Sequence, residues 1–102
     1  MIIKDIDTII DVFRRELRNH YSNIRINRFD YGASFFCRNQ YDVDDEYSLS
    51  IEISIPNQTV TFDSRAYGYK QIRLEQAQRD GKTIIRQATI GTEQYNGPIR
   101  LV

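Results

Sequence analysis

Apolar residues recur with two different periods along this chain, and the change of period divides it into elements. Ile6, Ile9, Ile10, Phe13 and Leu17 fall at i, i+3, i+4, i+7 and i+11, the spacing that lines one stripe of a helix. A helix over residues 5–20 follows. Asp5 or Asp7 can cap its first turn, where a negative side chain also meets the helix dipole favourably. Arg14, Arg15 and Arg18 crowd the negative end, with Glu16 among them. One apolar stripe means one buried face, so this helix is expected to lie on a sheet.

After a polar break the period falls to two. Ile24 and Ile26 alternate with Asn23, Arg25 and Asn27 in a strand over 22–29. Asp30-Tyr31-Gly32 has turn chemistry, and a second strand from Ala33 to Arg38 completes a hairpin. Phe35, Phe36 and Cys37 break the alternation, which predicts a bulge or burial on both faces. Beyond the polar stretch 39–46, Tyr47, Leu49, Ile51, Ile53 and Ile55 point one way, and Ser48, Ser50, Glu52 and Ser54 the other. That is a half-buried strand with one wet face. Pro56-Asn57-Gln58 turns the chain into a strand through Val60 and Phe62 to about Ser64. A one-residue slip here would expose the whole apolar row, so this hairpin should set the register.

Two signals conflict from residue 70 onward. Lys70 to Arg79 is a run of good helix formers, with Gly81 placed as a helix stop. Yet Ile72 and Leu74 sit two apart, and Asp80-Gly81 before Thr83-Ile84-Ile85 is a hairpin signal. With no continuous helical stripe, the pattern favours strand over 70–80. A further strand over 83–90, a loop over 91–97 and a short strand over 99–102 follow. The expected architecture is α+β: an N-terminal amphipathic helix packed on an antiparallel, hairpin-connected sheet of five or six strands, in one domain over 1–102.

Composition supports the strands. Isoleucine outnumbers leucine fifteen to four, and β-branched side chains fit a pleated surface better than a helix. At 102 residues and 40% apolar, the core is modest, so a homo-oligomer or a bound partner would add stability. A lone cysteine, Cys37, allows no intrachain disulfide and no cysteine-based metal cluster, which fits a reducing compartment. Asp5 and Asp7 stand where a signal peptide needs an apolar run, and no segment is long enough to span a bilayer. A soluble, cytoplasmic protein with no membrane partner is expected.

The charge pattern shapes the functional reading. Eleven arginines stand against three lysines, with seven tyrosines and no tryptophan. Arg and Tyr make oriented contacts at low entropic cost, whereas Lys mainly supplies solvated charge. Fourteen acids cancel the bases, so the net charge is zero. Residues 1–30 carry +1, 31–69 carry −4 and 70–102 carry +3, an acidic middle between basic ends. A balanced surface of this kind suits one complementary partner better than a polyanion.

Candidate chemistry is sparse. Asp42, Asp44, Asp45 and Glu46 form the one dense acidic cluster. It lacks the Gly and the later Glu of a calcium loop and runs into a strand, so it reads as a solvated loop or a docking surface for a basic partner, and no metal site is assigned. Cys37 and His20 are the sole residues of their types; Cys37 sits among phenylalanines, as a small buried hydrophobe would, and His20 follows a helix and is read as facing solvent or capping a carbonyl. A Cys–His enzyme is therefore a distant reading. Glycines 32, 68, 81, 91 and 97 are scattered, and no phosphate-cradling loop or Gly-x-Ser-x-Gly turn occurs. No cofactor is implied.

Arg14, Arg15, Arg18, Arg25 and Arg28 form an N-terminal basic group near Tyr21 and Tyr31; Arg73, Arg79, Lys82 and Arg86 form a second. Tyr67 and Tyr69 flank Gly68, preceded by Arg65, and either put aromatic area on a flexible connection or form an edge strand with both rings packed on the sheet. The arginines read as a solvated helix face with cross-strand ion pairs, as a protein interface, or, least well given a pI near 6.6, as a nucleic-acid site. The function expected from these features is non-enzymatic, stoichiometric binding of another protein. Small inhibitors encoded by phages and mobile elements, directed at host nucleic-acid-processing or defence proteins, have this general character. The expected surface comprises Arg14, Arg15, Arg18, Arg25, Arg28, Arg65, Tyr67, Tyr69 and the acids 42–46.

Overall fold

A computed structural model describes residues 6–38, 47–65 and 68–90, with side chains as far as residue 87. Its elements are α1 (Ile6–Arg18), β1 (Asn23–Phe29), β2 (Gly32–Arg38), β3 (Leu49–Ser54), β4 (Thr59–Ser64), β5 (Gly68–Arg73) and α2 (Leu74–Ile90). The five strands pair antiparallel in chain order, each with its sequence neighbour. The architecture is α+β, with five strands among the described residues.

The helical stripe of α1 is buried as its spacing requires: Ile6, Ile9, Phe13 and Leu17 face inward. The helix closes tightly, with the Tyr21 N–H donating to the Leu17 carbonyl at 2.9 Å, and buried Tyr21 seals the exit. In the sheet, the inward rows read Ile24–Cys37–Leu49–Ser64, Ile26–Phe35–Ile51–Phe62–Lys70 and Arg28–Ala33–Ile53–Val60–Ile72. Phe13 reaches from α1 to Phe35 and Phe62, with ring centroids 5.9 and 6.2 Å apart. The register of β2 is continuous against both neighbours, so there is no bulge at Phe35–Cys37. Phe35 and Cys37 point into the core, while Phe36 turns outward and is half-buried.

Two turns fix the meander. Gly32 follows the Asp30–Tyr31 turn, where a Cβ would collide with the Ile53 carbonyl oxygen, so the close approach of β2 to β3 requires a glycine. Between β3 and β4 the Gln58 N–H donates to the Ile55 carbonyl at 3.1 Å, and Gln58 adopts a left-handed φ of 55°. Its carbonyl then accepts the Leu74 N–H at 2.8 Å. This satisfies one of the donors that a helix start leaves unpaired, and it allows α2 to begin directly where β5 stops.

Residues 70–90 correct the expectation from pattern. The strand ends at Arg73, and 74–90 is helix, so neither the strand over 74–80 nor the strand over 83–90 exists. Asp80-Gly81 lies in mid-helix and makes no hairpin. Ile72 is the last inward position of β5 and Leu74 the first buried position of α2, which explains their two-residue spacing. From Leu74 the buried positions are Leu74, Ala77, Gly81, Ile84 and Ile85, a helical stripe with glycine as one member. A Cβ at Gly81 would stand 2.6 Å from Phe13 Cε1, so the glycine lets α2 approach α1. Packing overrode the β-branched run Thr83-Ile84-Ile85. The predicted loop 91–97 and strand 99–102 lie outside the described residues.

Candidate functional site

Both helices pack on one face of the sheet, and no other described element covers the opposite face. Strand alternation places Arg25, Phe36, Ser50, Asp63 and Tyr69 side by side across the five strands on that face. The adjoining row is Asn27, Ser34, Glu52, Thr61 and Gln71, and the next is Phe29, Gly32, Ser54, Thr59 and Arg73. Among these outward residues, Gln71 Nε2 donates to Thr61 Oγ1 at 3.1 Å. Among the described residues, Arg25 and Glu52 have no ion-pair partner.

Two concavities open on this face. At one end Asn23, Arg25, Phe36, Arg38 and Tyr47 line a pocket of about 300 Å³. Phe36 and Tyr47 meet there at 5.4 Å with their rings tilted by 58°. At the other end a groove of about 410 Å³ runs between the hairpin tips, lined by Phe29, Tyr31, Ser34, Glu52, Ser54 and Pro56 among others. Phe29 and Tyr31 stack nearly parallel, at 5.4 Å and 7°, and are 37% and 60% exposed. Among its described lining residues the first concavity has two arginines, Arg25 and Arg38. The second is acidic, with Asp30 in the turn between its two aromatics.

The N-terminal arginines do not form one patch. Arg14 and Arg15 pair with Asp11 at 2.6 and 2.8 Å along α1. The hydrogen bond from Arg14 holds the Asp11 carboxyl below its ordinary value; slight desolvation opposes this, and the charges of Arg15, Arg14 and Arg18 add to it. Arg18 is exposed on the same helix. Arg28 belongs to an inward row at the sheet edge, where it pairs with Asp7 at 3.1 Å and donates to the Gly32 carbonyl at 3.2 Å. Arg25 alone of the five lies on the uncovered face. Arg65 is exposed at the end of β4, and Tyr69, 47% exposed, stands on the uncovered face beside Asp63. Asp42, Asp44, Asp45, Glu46 and Tyr67 lie outside the described residues. Pattern reading passed over Phe29, Phe36, Arg38, Tyr47 and Glu52 as site residues; the outward alternation of Phe29, Phe36 and Arg38 was the available signal, whereas Tyr47, expected to point inward with Leu49, precedes β3 and meets Phe36 instead.

The candidate nucleophile is sealed in. Cys37 is fully buried, and burial pushes its thiol up to about 12, so it stays protonated at neutral pH. His20 neither caps a carbonyl with its ring nor stands free: its Nε2–H donates to Glu16 Oε2 at 2.8 Å. Arg86 donates to the other carboxylate oxygen of Glu16 through Nη2 at 3.0 Å and Nε at 3.2 Å. Glu16 is 5% exposed. Burial pushes its carboxyl up, and the bonds from Arg86 and His20 outweigh it, so the group ends below its ordinary value of 4.5. This cluster ties α1 to α2. Among the described residues, no three His, Cys, Asp or Glu side chains gather as a metal-holding group, and no helix is long and apolar enough to cross a membrane.

No family model matches the chain, and no curated protein or solved structure matches it.

Proposed function

We propose that this protein is a non-enzymatic binding module that holds a partner protein on its uncovered sheet face and acts by occlusion, as a stoichiometric inhibitor does. One observation carries the reading: both helices cover the same side, so among the described residues the opposite side presents Phe36, Tyr47, Tyr69 and the Phe29–Tyr31 stack, with a concavity lined by Arg25 and Arg38 at one end and one lined by Glu52 at the other. Aromatic and arginine side chains are the usual anchors of protein interfaces. A rigid five-stranded platform holds them with little entropy left to lose on binding.

The mixture of charges favours protein over nucleic acid. Arg25, Arg38 and Arg73 share the face with Glu52 and Asp63. A phosphate backbone would require one sign along its track.

The test is capture from cells that naturally make the protein. A partner retained by the wild type should be lost with Arg25→Glu or Tyr69→Ala and kept with Lys82→Ala, a residue exposed on α2. Loss with the helix variant alone would reject the sheet face. Salt-sensitive retardation of a single-stranded oligonucleotide, with no protein retained, would favour nucleic-acid binding instead.

A further inference from the structure

The groove between the hairpin tips has a chemistry narrower than a general contact surface. Its lining comes from both hairpins: Phe29, Tyr31 and Ser34 of the first, and Glu52, Ser54 and Asn57 of the second. One wall is the Phe29–Tyr31 stack, and Glu52, paired with Ser34 across β2 and β3, also lines the groove. Asp30 adds a second negative charge at the turn. The nearest cations are committed or distant. Arg28 pairs with Asp7, and Arg73 lies two strands from Ser54, roughly 10 Å at ordinary strand spacing.

We propose that this groove is a receptor for an arginine side chain of the partner protein, the guanidinium stacking on the exposed face of Tyr31 or Phe29 and donating to Glu52. The proposal rests on the partner being a protein held on the uncovered face. An apolar side chain would bury the Glu52 carboxylate against nothing that replaces its water, and an anion would meet Asp30 and Glu52. A planar guanidinium satisfies both features at once: its face matches the aromatic ring and its N–H fork matches the carboxylate. Ser34 and Asn57 at the rim supply further acceptors.

The experiment uses the whole isotope-labelled protein and Nα-acetyl-arginine amide as the probe, followed by amide shifts. Saturable shifts at Tyr31, Ser34, Glu52 and Asn57 are expected, with Nα-acetyl-norleucine amide several-fold weaker. Glu52→Gln and Tyr31→Ala, both at exposed positions, should each weaken arginine binding about three- to tenfold. Equal binding of the norleucine probe, unchanged affinity in Glu52→Gln, or no saturable shift overturns the proposal. The probe is a small molecule, so its result is separable from partner capture. Capture without arginine binding rejects the groove and leaves the face intact.

Discussion

Replacing Gly81 with alanine sets two known effects against each other, and the structure says which wins. In an exposed helix interior, glycine to alanine gains roughly 1 kcal/mol from reduced backbone entropy and better propensity. At Gly81 the new methyl would stand 2.6 Å from Phe13 Cε1 and 2.9 Å from Phe13 Cζ. The ring has nowhere to go: Phe13 is 1% exposed and packed against Phe35 and Phe62. Relief requires α2 to move off α1, and overpacking of that kind costs about 1–3 kcal/mol. Gly81→Ala should therefore destabilise the protein by about 1 kcal/mol net, or roughly 4–8 °C in Tm for a domain of this size. Urea denaturation followed by circular dichroism measures it. In a Phe13→Leu background the clash is removed, so the same alanine should become neutral or stabilising. That reversal of sign is the coupling between the two residues. A Gly81→Ala protein more stable than the wild type in the Phe13 background would refute the close-approach argument.

Glu16→Gln should cost about 1–3 kcal/mol, because it removes the charge that Arg86 and His20 hold between the helices. The folded carboxyl is depressed, so the unfolded chain takes up the proton first as the pH falls. The stabilisation is complete above the ordinary value of 4.5 and is lost as the pH drops through the folded value, so wild type and variant should converge in acid. A difference in unfolding free energy that stays constant from pH 7 to pH 3 would contradict this. Cys37, buried and with its thiol raised to about 12, should resist iodoacetamide at pH 8 in the folded protein and react fully in urea. Rapid labelling of the folded protein would show that β2 opens.

The first five elements were legible because each rests on a local signal. The stripe from Ile6 to Leu17 and the alternation from Leu49 to Ile55 each name a face without reference to any other part of the chain. The second helix was not, because its stripe includes Gly81, which pattern counting treats as a break. The same glycine is apolar surface once Phe13 packs against it. The candidate site was legible in type and not in position. Arginine and tyrosine were recognised as anchors, yet Arg14, Arg15 and Arg28 are engaged by Asp11 and Asp7, and Arg25 faces away from the helix.

Period and composition by themselves determined that this chain forms an amphipathic helix and a hairpin-connected sheet with an apolar inner face. Those follow from side-chain direction within single elements. The tertiary structure alone decided that residues 74–90 are helical, that Glu16 meets Arg86 from 70 positions away, and that Phe29, Tyr31 and Glu52 border one groove. Each depends on which surfaces are pressed together across the fold, and packing energy between distant segments outweighs the local preferences that a linear pattern records.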